Sequence, residues 1–521
     1  MSTENEGEAP ATDVINPMTG SHHLAKGALS LRQVLFCCVT GAAPITAMVF
    51  NTPVAVLGVG YAAPAAFLLA TIVLTIFSIG YIEMARRVTA AGGFYSFVSH
   101  GLGQVLGMGT ALLIAACYLI FSAAVTGVTT YFFVTTIDAW FGVSIPAWIV
   151  LAALVLIMTL LTFFHIELSA RFLGVALIGE IVLLAVFVAA VMIQGGGPDG
   201  IPLKPLNPLE VFNDNNLAVA TGAAGIGLFG AFWSWVGFEM APNYAEEAKE
   251  PKKVMAPAMY ISVIGLGVVY VLVTWMYVSG AGLERSSELV GQYFEGTLAV
   301  ASPYYVLTEE YFGSLLTYGF QAFVVTGSLA CQIAFFNTSC RYLFSLGREG
   351  VLPSALGRTH PQHHSTHIAG VVAGVIVGLW VLGFAIYIAT LPADAGIDLT
   401  LGSLTILGTW SPLLGVSGIL AIQALVSLAI IVYFARIKEM HWLKTLIAPI
   451  IGLISQAIVV GLLLQYRGDL SAAADVPFIK YLWVWPLLIF GVGVILALIF
   501  RSRSPERYAG IGRYLHEDIA S

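Results

Sequence analysis

The chain has 521 residues, of which 58% are hydrophobic and 10% charged, and its mean hydropathy is +0.89. Soluble domains carry roughly a quarter charged residues, so this composition indicates an all-α polytopic membrane protein. A net charge of −7, with no long basic run, excludes nucleic acid as a partner.

Residues 1–28 form an acidic polar tail with Glu4, Glu6, Glu8 and Asp13. No basic stretch followed by an apolar core and a cleavage site precedes the first apolar segment, so no signal peptide is expected. His22 and His23 in this tail are given no role. Twelve apolar segments are long enough to span lipid: 33–57, 62–85, 104–136, 146–165, 169–193, 217–244, 255–281, 312–346, 366–390, 401–434, 445–465 and 481–500. With the N-terminus inside, all of the 22 Lys and Arg except Lys204, Arg285, Arg467 and Lys480 fall on the cytoplasmic side. That asymmetry predicts an inner or plasma membrane protein with both termini cytoplasmic.

The first span carries Gly41 and Pro44 near its middle. Proline removes a donor and clashes with the preceding turn, which frees backbone groups at mid-depth. Close packing through small residues accounts for the same pattern without a site. The connector after Glu83, Arg86 and Arg87 is expected to be an amphipathic cytoplasmic segment with a solvated His100. Tyr118, Ser122 and Thr126 repeat at helical spacing on the third span, as a cavity stripe or as interhelix hydrogen bonds. Glu167 and Arg171, with His165, make an inner turn. Glu180 lies well inside the fifth span, either paired structurally or acting as a proton or cation site.

The sixth span reads FGAFWSWVGFEMAPNYAEE over 229–247. An unpaired carboxylate at this depth costs about 3 kcal/mol or more. Gly237 and Pro242 weaken the backbone ladder around Glu239, and lipid cannot replace the lost bonds. A broken helix lining a polar cavity satisfies this pattern; so does a kinked helix whose Glu239 finds a partner. Glu246, Glu247, Lys249, Lys252 and Lys253 then form a charged inner loop. The outer loop 282–308 has room for one short helix over the outer mouth. Ser328, Gln332 and Asn337 lie on the eighth span, with Arg341, Arg348 and Glu349 at its inner end. His360, His363, His364 and His367 follow without the Cys or carboxylate partners a metal site favours. The five cysteines, Cys37, Cys38, Cys117, Cys331 and Cys340, read as small buried hydrophobes.

Spans one and six are the interrupted ones, and they stand five apart. Breaks in corresponding positions of two halves point to a transporter site between inverted repeats. The halves are 29–193 and 217–436, followed by two extra helices in 444–500 and a cytoplasmic tail from 501 to 521. Five spans per half is odd, so the second half inserts upside down.

Three stretches resemble the amino acid–polyamine–organocation superfamily of secondary transporters. They are FWSWVGFE with YAEEAKEPKKVMAPAM, RYLFSLGREGVLP, and EMARRVTAAGGFYSFVSHGLG. The resemblance extends over nearly all of 29–500. It implies the LeuT-like fold: twelve transmembrane helices in a 5+5 inverted repeat with broken first and sixth helices, plus two more. It also implies that backbone amides of the first break meet the substrate carboxylate, which maps onto Ala42, Ala43, Pro44, Ile45 and Thr46. The family's glycine-rich run is replaced here by GAAPIT. The sixth-span aromatic lid maps onto Trp233 and the gating or proton-sensing acid onto Glu239. Phe335 matches a pocket-lining position of the eighth span. Where some proton-coupled members carry a fifth-span lysine, this chain has Glu180. Freed carbonyls around Trp233, Ser234, Trp235 and Val236 are expected to accept a substrate ammonium.

The expected activity is secondary transport of amino acids, coupled to protons through Glu239 or Glu180. A putrescine-like polyamine importer and an amino acid/amine exchanger are the alternatives within this class. A non-transporting membrane sensor is the alternative outside it. No nucleophile–base pair, metal motif or phosphate loop is present, so neither an enzyme nor a cofactor is expected.

Overall fold

A computed structural model describes residues 30–88, 92–163, 166–213, 224–244, 248–363, 365–392 and 395–512, without side chains for 37, 166–173, 251 and 252. The acidic tail, Glu246, Glu247, His165, His364 and the side chains of Cys37, Glu167, Arg171 and Lys252 lie outside the described residues.

The first apolar segment is split. Helix α1 (Leu31–Gly41) ends where α2 (Pro44–Val59) begins. Pro44 opens α2, where its missing N–H costs nothing. A residue before proline is driven out of the helical region, and Ala43 sits at φ +41° in the left-handed region. For a residue with a Cβ that costs about 1–2 kcal/mol, which the tertiary contacts of this break must sustain.

Helix α3 (Ala63–Arg87) is followed by α4 (Phe94–Leu102) and the long α5 (Gln104–Phe141). The connector is not a surface segment as expected. Phe94, Tyr95, Phe97 and Val98 of α4 are buried, and its apolar residues leave it no stable place in water. His100 is half-buried, its Nδ1 2.8 Å from the Ser96 carbonyl. Next come α6 (Ala147–Leu161), α7 (Ile166–Ile193) and α8 (Ala224–Trp235). Helix α8 stops at Trp235, and a 3-10 turn over Phe238–Tyr244 replaces it.

Helix α9 (Pro251–Ala281) leads to two short helices, α10 (Leu283–Phe294) and α11 (Pro303–Phe312), where one was expected. Helices α12 (Ser314–Arg348) and α13 (His367–Ala389) follow. Then α14 (Leu399–Gly402) joins α15 (Gly408–Arg436) through a π turn at Ser403–Leu407. The chain ends with α16 (Ala448–Gln465), short α17 (Arg467–Ser471) and α18 (Pro477–Lys480), α19 (Val484–Arg503) and α20 (Pro505–Gly510).

Among the described residues nine helical runs are long and apolar enough to cross a membrane, and α1 to α3 count there as one. Helix α5 packs against α12, α15, α19 and α4; α2 packs on α8, and α3 on α9. Large apolar side chains point outward on many helices, among them Val175, Val182, Leu379 and Ile458. Such a continuous apolar exterior fits lipid and not water. The protein is therefore an integral membrane protein.

Candidate site at two broken helices

The two breaks touch. Gly237 has φ +120°, a conformation open to glycine, and a Cβ on it would lie 2.9 Å from the carbonyl carbon of Gly41 and 3.1 Å from the nitrogen of Ala42. A Cβ on Gly41 would meet Met240 at 3.1 Å and Gly237 Cα at 3.5 Å. Backbone meets backbone here because neither glycine carries a side chain. Above this point α2 and α8 stay close by the same device: a Cβ on Gly230 would sit 2.7 Å from the Asn51 carbonyl oxygen.

Each break presents polar backbone, and the fold partly satisfies it. The Tyr270 hydroxyl of α9 lies 2.9 Å from the Ala42 carbonyl and 3.0 Å from the Ser234 carbonyl, one on each break. Cys331 on α12 donates to the Gly41 carbonyl at 3.0 Å. Ile45 N–H donates to Glu180 Oε2 at 3.1 Å. On the second break Tyr118 donates to Glu239 Oε1 at 2.7 Å, and Gly237 N–H donates to Glu239 Oε2 at 3.1 Å. Tyr81 adds a bond to the Glu239 carbonyl at 3.3 Å. A carbonyl oxygen has two lone pairs, so these bonds leave acceptor capacity at the breaks.

Beside the contact lies a small cavity. Gly41, Ala42, Ala43 and Thr46 form one wall, with Ala47, Phe50 and Asn51 further along α2. Val125 and Val128 of α5 face them, and Trp233, Cys331 and Phe335 complete the lining. No charged side chain is in that lining. The Trp233 ring lies 4.8 Å from Phe121 and 5.9 Å from Phe335, and Tyr118 stands edge-on to both Phe121 and Phe335 at 5.8 Å. Asn51 donates to Ser234 Oγ at 2.9 Å, which in turn donates to the Gly230 carbonyl at 2.8 Å. The Asn51 Oδ1 is buried with no hydrogen-bond partner among the described residues.

Of the residues expected at the site, Ala42, Ala43, Thr46, Trp233 and Phe335 line the cavity. Pro44 and Ile45 continue the break, and Ser234 supports it through Asn51 and Tyr270. Trp235 and Val236 are elsewhere: they line a second, smaller space with Phe232, Leu420 and Gln423. Residues two apart on a helix point to different sides, which separates Trp235 from Trp233. The Trp235 indole packs on Tyr270 at 4.8 Å and Phe67 at 5.9 Å. Of the polar stripe, Thr126 accepts a bond from Gln332 at 2.7 Å. Tyr118 reaches the Glu239 carboxylate instead.

Several participants were not read from the sequence. Asn51 is the sole amide side chain of the first span beyond Gln33, and that rarity was a usable signal. Tyr270 and Cys331 sit in apolar runs with nothing local to mark them. At the C-terminal end of α12, Arg341 lies over the Tyr244 ring at 4.4 Å and Glu349 accepts from Tyr95 at 2.8 Å and from Gly512 N–H at 3.2 Å. Burial pushes the Glu349 carboxyl up to about 7, against the lowering effect of those two bonds and of Arg348. The His360 ring stacks on His363 at 4.9 Å and meets His367 at 5.2 Å. Among the described residues no group of three His, Cys, Asp or Glu is placed to hold a metal ion.

Comparison with known proteins agrees with this picture at the level of family. A family model described as amino acid permease matches residues 29–500. The chain is 22% identical over 320 residues to the branched-chain amino acid permease BcaP of Bacillus subtilis (strain 168), covering 58% of this chain and 63% of that one. It is 23% identical over 338 residues to the low-affinity putrescine importer PlaP of Escherichia coli (strain K12), covering 64% and 70%. It is 23% identical over 505 residues to a methylthioribose transporter of Bacillus subtilis (strain 168), covering 92% and 95%.

Proposed function

The chain belongs to the amino acid permease family, a family of transporters and not of enzymes, and from that premise we propose that it carries amino acids across the cytoplasmic membrane by alternating access, coupled to protons. The observation that carries this reading is the backbone contact between two broken helices beside a cavity with uncharged lining. Twelve spans in two oppositely inserted halves, with both termini cytoplasmic, are part of the proposal. Its support is the position of the breaks, five expected spans apart, and the pairing of α2 with α8 and of α3 with α9.

In this mechanism the positive end of α2 favours the substrate carboxylate. Carbonyls of the breaks receive the ammonium through their remaining lone pairs. Trp233 closes over the substrate and gives a cation–π contact. Alternating access is a rocking of α1 to α3, α8 and α9 against the remaining helices. Glu239 and Glu180 are the candidates for the transported proton, because each is a carboxylate buried without a cation among the described residues.

Proteoliposome uptake of radiolabelled amino acids, with and without an inward proton gradient, tests this. Accumulation that requires the gradient is expected; uptake indifferent to it removes proton coupling. A putrescine-like diamine is the second reading, prompted by PlaP. A diamine calls for two acidic groups, and no carboxylate lines the cavity. Putrescine is therefore expected to compete poorly with an amino acid.

A further inference from the structure

Glu180 and the first turn of α2 form an arrangement that the transport reading above does not use up. Ile45 is the second residue of α2, where amides lack an acceptor within the helix and the helix dipole is positive. That end of a half-helix is where an anionic substrate group would bind. The chain has placed its own carboxylate there, from a helix far away in sequence: Glu180 Oε2 accepts the Ile45 N–H at 3.1 Å. Glu180 is fully buried, and its Oε1 has no hydrogen-bond partner among the described residues. The fold makes room for it with Gly327 of α12, on which a Cβ would lie 2.7 Å from Oε1.

The groups around Glu180 do not neutralise it. The titratable ones that face it are the Tyr270 hydroxyl from α9 and the Cys331 thiol from α12. Tyr270 directs its proton to the Ala42 and Ser234 carbonyls, and Cys331 directs its proton to the Gly41 carbonyl. From α2 it meets the Ile45 backbone N–H. Among the described residues no Lys, Arg or His pairs with it. Glu239 differs, since both its oxygens hold donors.

One weakly positive helix end in a dry interior cannot hold two full negative charges within a few ångströms of each other. We propose that a carboxylate-bearing substrate replaces Glu180 at the first amides of α2, and that Glu180 takes up one proton as it is displaced. This inference rests on the amino acid carrier reading. The exchange balances: the Ile45 N–H gives up its bond to Glu180 and makes one to the substrate carboxylate, while a proton from water joins a Glu180 oxygen. Reversal on the other face of the membrane releases both. An amine with no carboxylate leaves Glu180 in place and binds without that proton.

The test uses the purified full chain in weak buffer with a pH-indicator dye. Ligands are a panel of amino acids and their decarboxylated amines, leucine and 3-methylbutylamine among them, with binding read by tryptophan fluorescence. Wild type should take up about one proton per amino acid bound and none per amine. Its amino acid affinity should fall up to about tenfold per pH unit once Glu180 is ionised. Glu180→Gln should bind amino acids with no proton uptake and with a flat pH profile. Proton uptake that is absent for amino acids, equal for amines, or retained in Glu180→Gln overturns the exchange while leaving the carrier reading intact. Binding of amines alone overturns it too, because Glu180 would then never yield its place. If the Gln variant does not fold, the wild-type comparison of amino acid with amine decides. Failure of every ligand to bind sinks the amino acid carrier reading, and the exchange with it.

Discussion

At the first break Ala43 sits at φ +41° before a proline, a strained conformation sustained by tertiary contacts; at the second, Gly237 takes φ +120° with no proline beside it. The first break draws its hydrogen bonds from afar, through Glu180 on α7, Tyr270 on α9 and Cys331 on α12. The second carries its own carboxylate: Glu239 accepts from Gly237, two residues earlier, while Tyr118 on α5, Tyr81 on α3 and Tyr270 on α9 reach this break from outside. The contrast separates two jobs. A break that carries its own carboxylate keeps that bond when neighbouring helices move. A break whose carboxylate comes from another helix loses it when that helix shifts, so the first is the one that registers a substrate or a conformational change.

The harshest way to break this comparison is to put a Cβ where the two meet. Gly237→Ala combines an unfavourable φ, costing about 1–3 kcal/mol, with a backbone clash at 2.9 Å. Loss of uptake and of the monodisperse peak in size exclusion is expected. The mirror substitution, Ala43→Gly, relaxes the left-handed residue and should raise thermal stability by about 1 kcal/mol or less, after the entropy that glycine adds to the unfolded chain. A destabilised Ala43→Gly protein would contradict strain at the first break.

Tyr270→Phe removes the hydroxyl that joins the breaks. Stability should fall by about 1–3 kcal/mol, the cost of leaving buried acceptors short of a donor, read from thermal melting of the detergent-solubilised protein. Trp233→Ala takes away the aromatic wall. Apparent affinity should weaken about tenfold, in line with a desolvated cation–π contact of about 1–2 kcal/mol, and unchanged affinity in an uptake competition would remove the lid role.

The smallest effect is a pH dependence outside the spans. Glu349, near 7 in the folded protein, binds its proton more tightly folded than unfolded. Stability from this group is therefore gained as pH falls through 7 and lost as pH rises. Between pH 8 and pH 6 the melting point of wild type should rise relative to that of Glu349→Gln by a few degrees at most. A parallel pair of profiles would show that Glu349 does not set it.

Much of the site was legible because lipid makes certain residues expensive. Glu180, Glu239, Pro44 and Gly237 stand out in apolar runs, since charge and broken ladder both cost free energy there. Trp235 and Val236 were expected through their freed carbonyls, and their side chains line a different space from that of Trp233. The connector α4 is buried more deeply than the expected amphipathic segment with a solvated His100. Its Phe94, Tyr95, Phe97 and Val98 fill space that only the assembled bundle creates.

From the chain alone came the membrane class, the two interrupted helices and the costly carboxylates, because each follows from composition or from bonds a single segment can or cannot make. Only the tertiary structure decided that Gly41 and Gly237 meet, that Tyr270 serves both breaks, and that Glu180 caps Ile45. Those are contacts between residues more than a hundred positions apart or on separate helices, and no local pattern encodes which distant donor a buried acceptor will find.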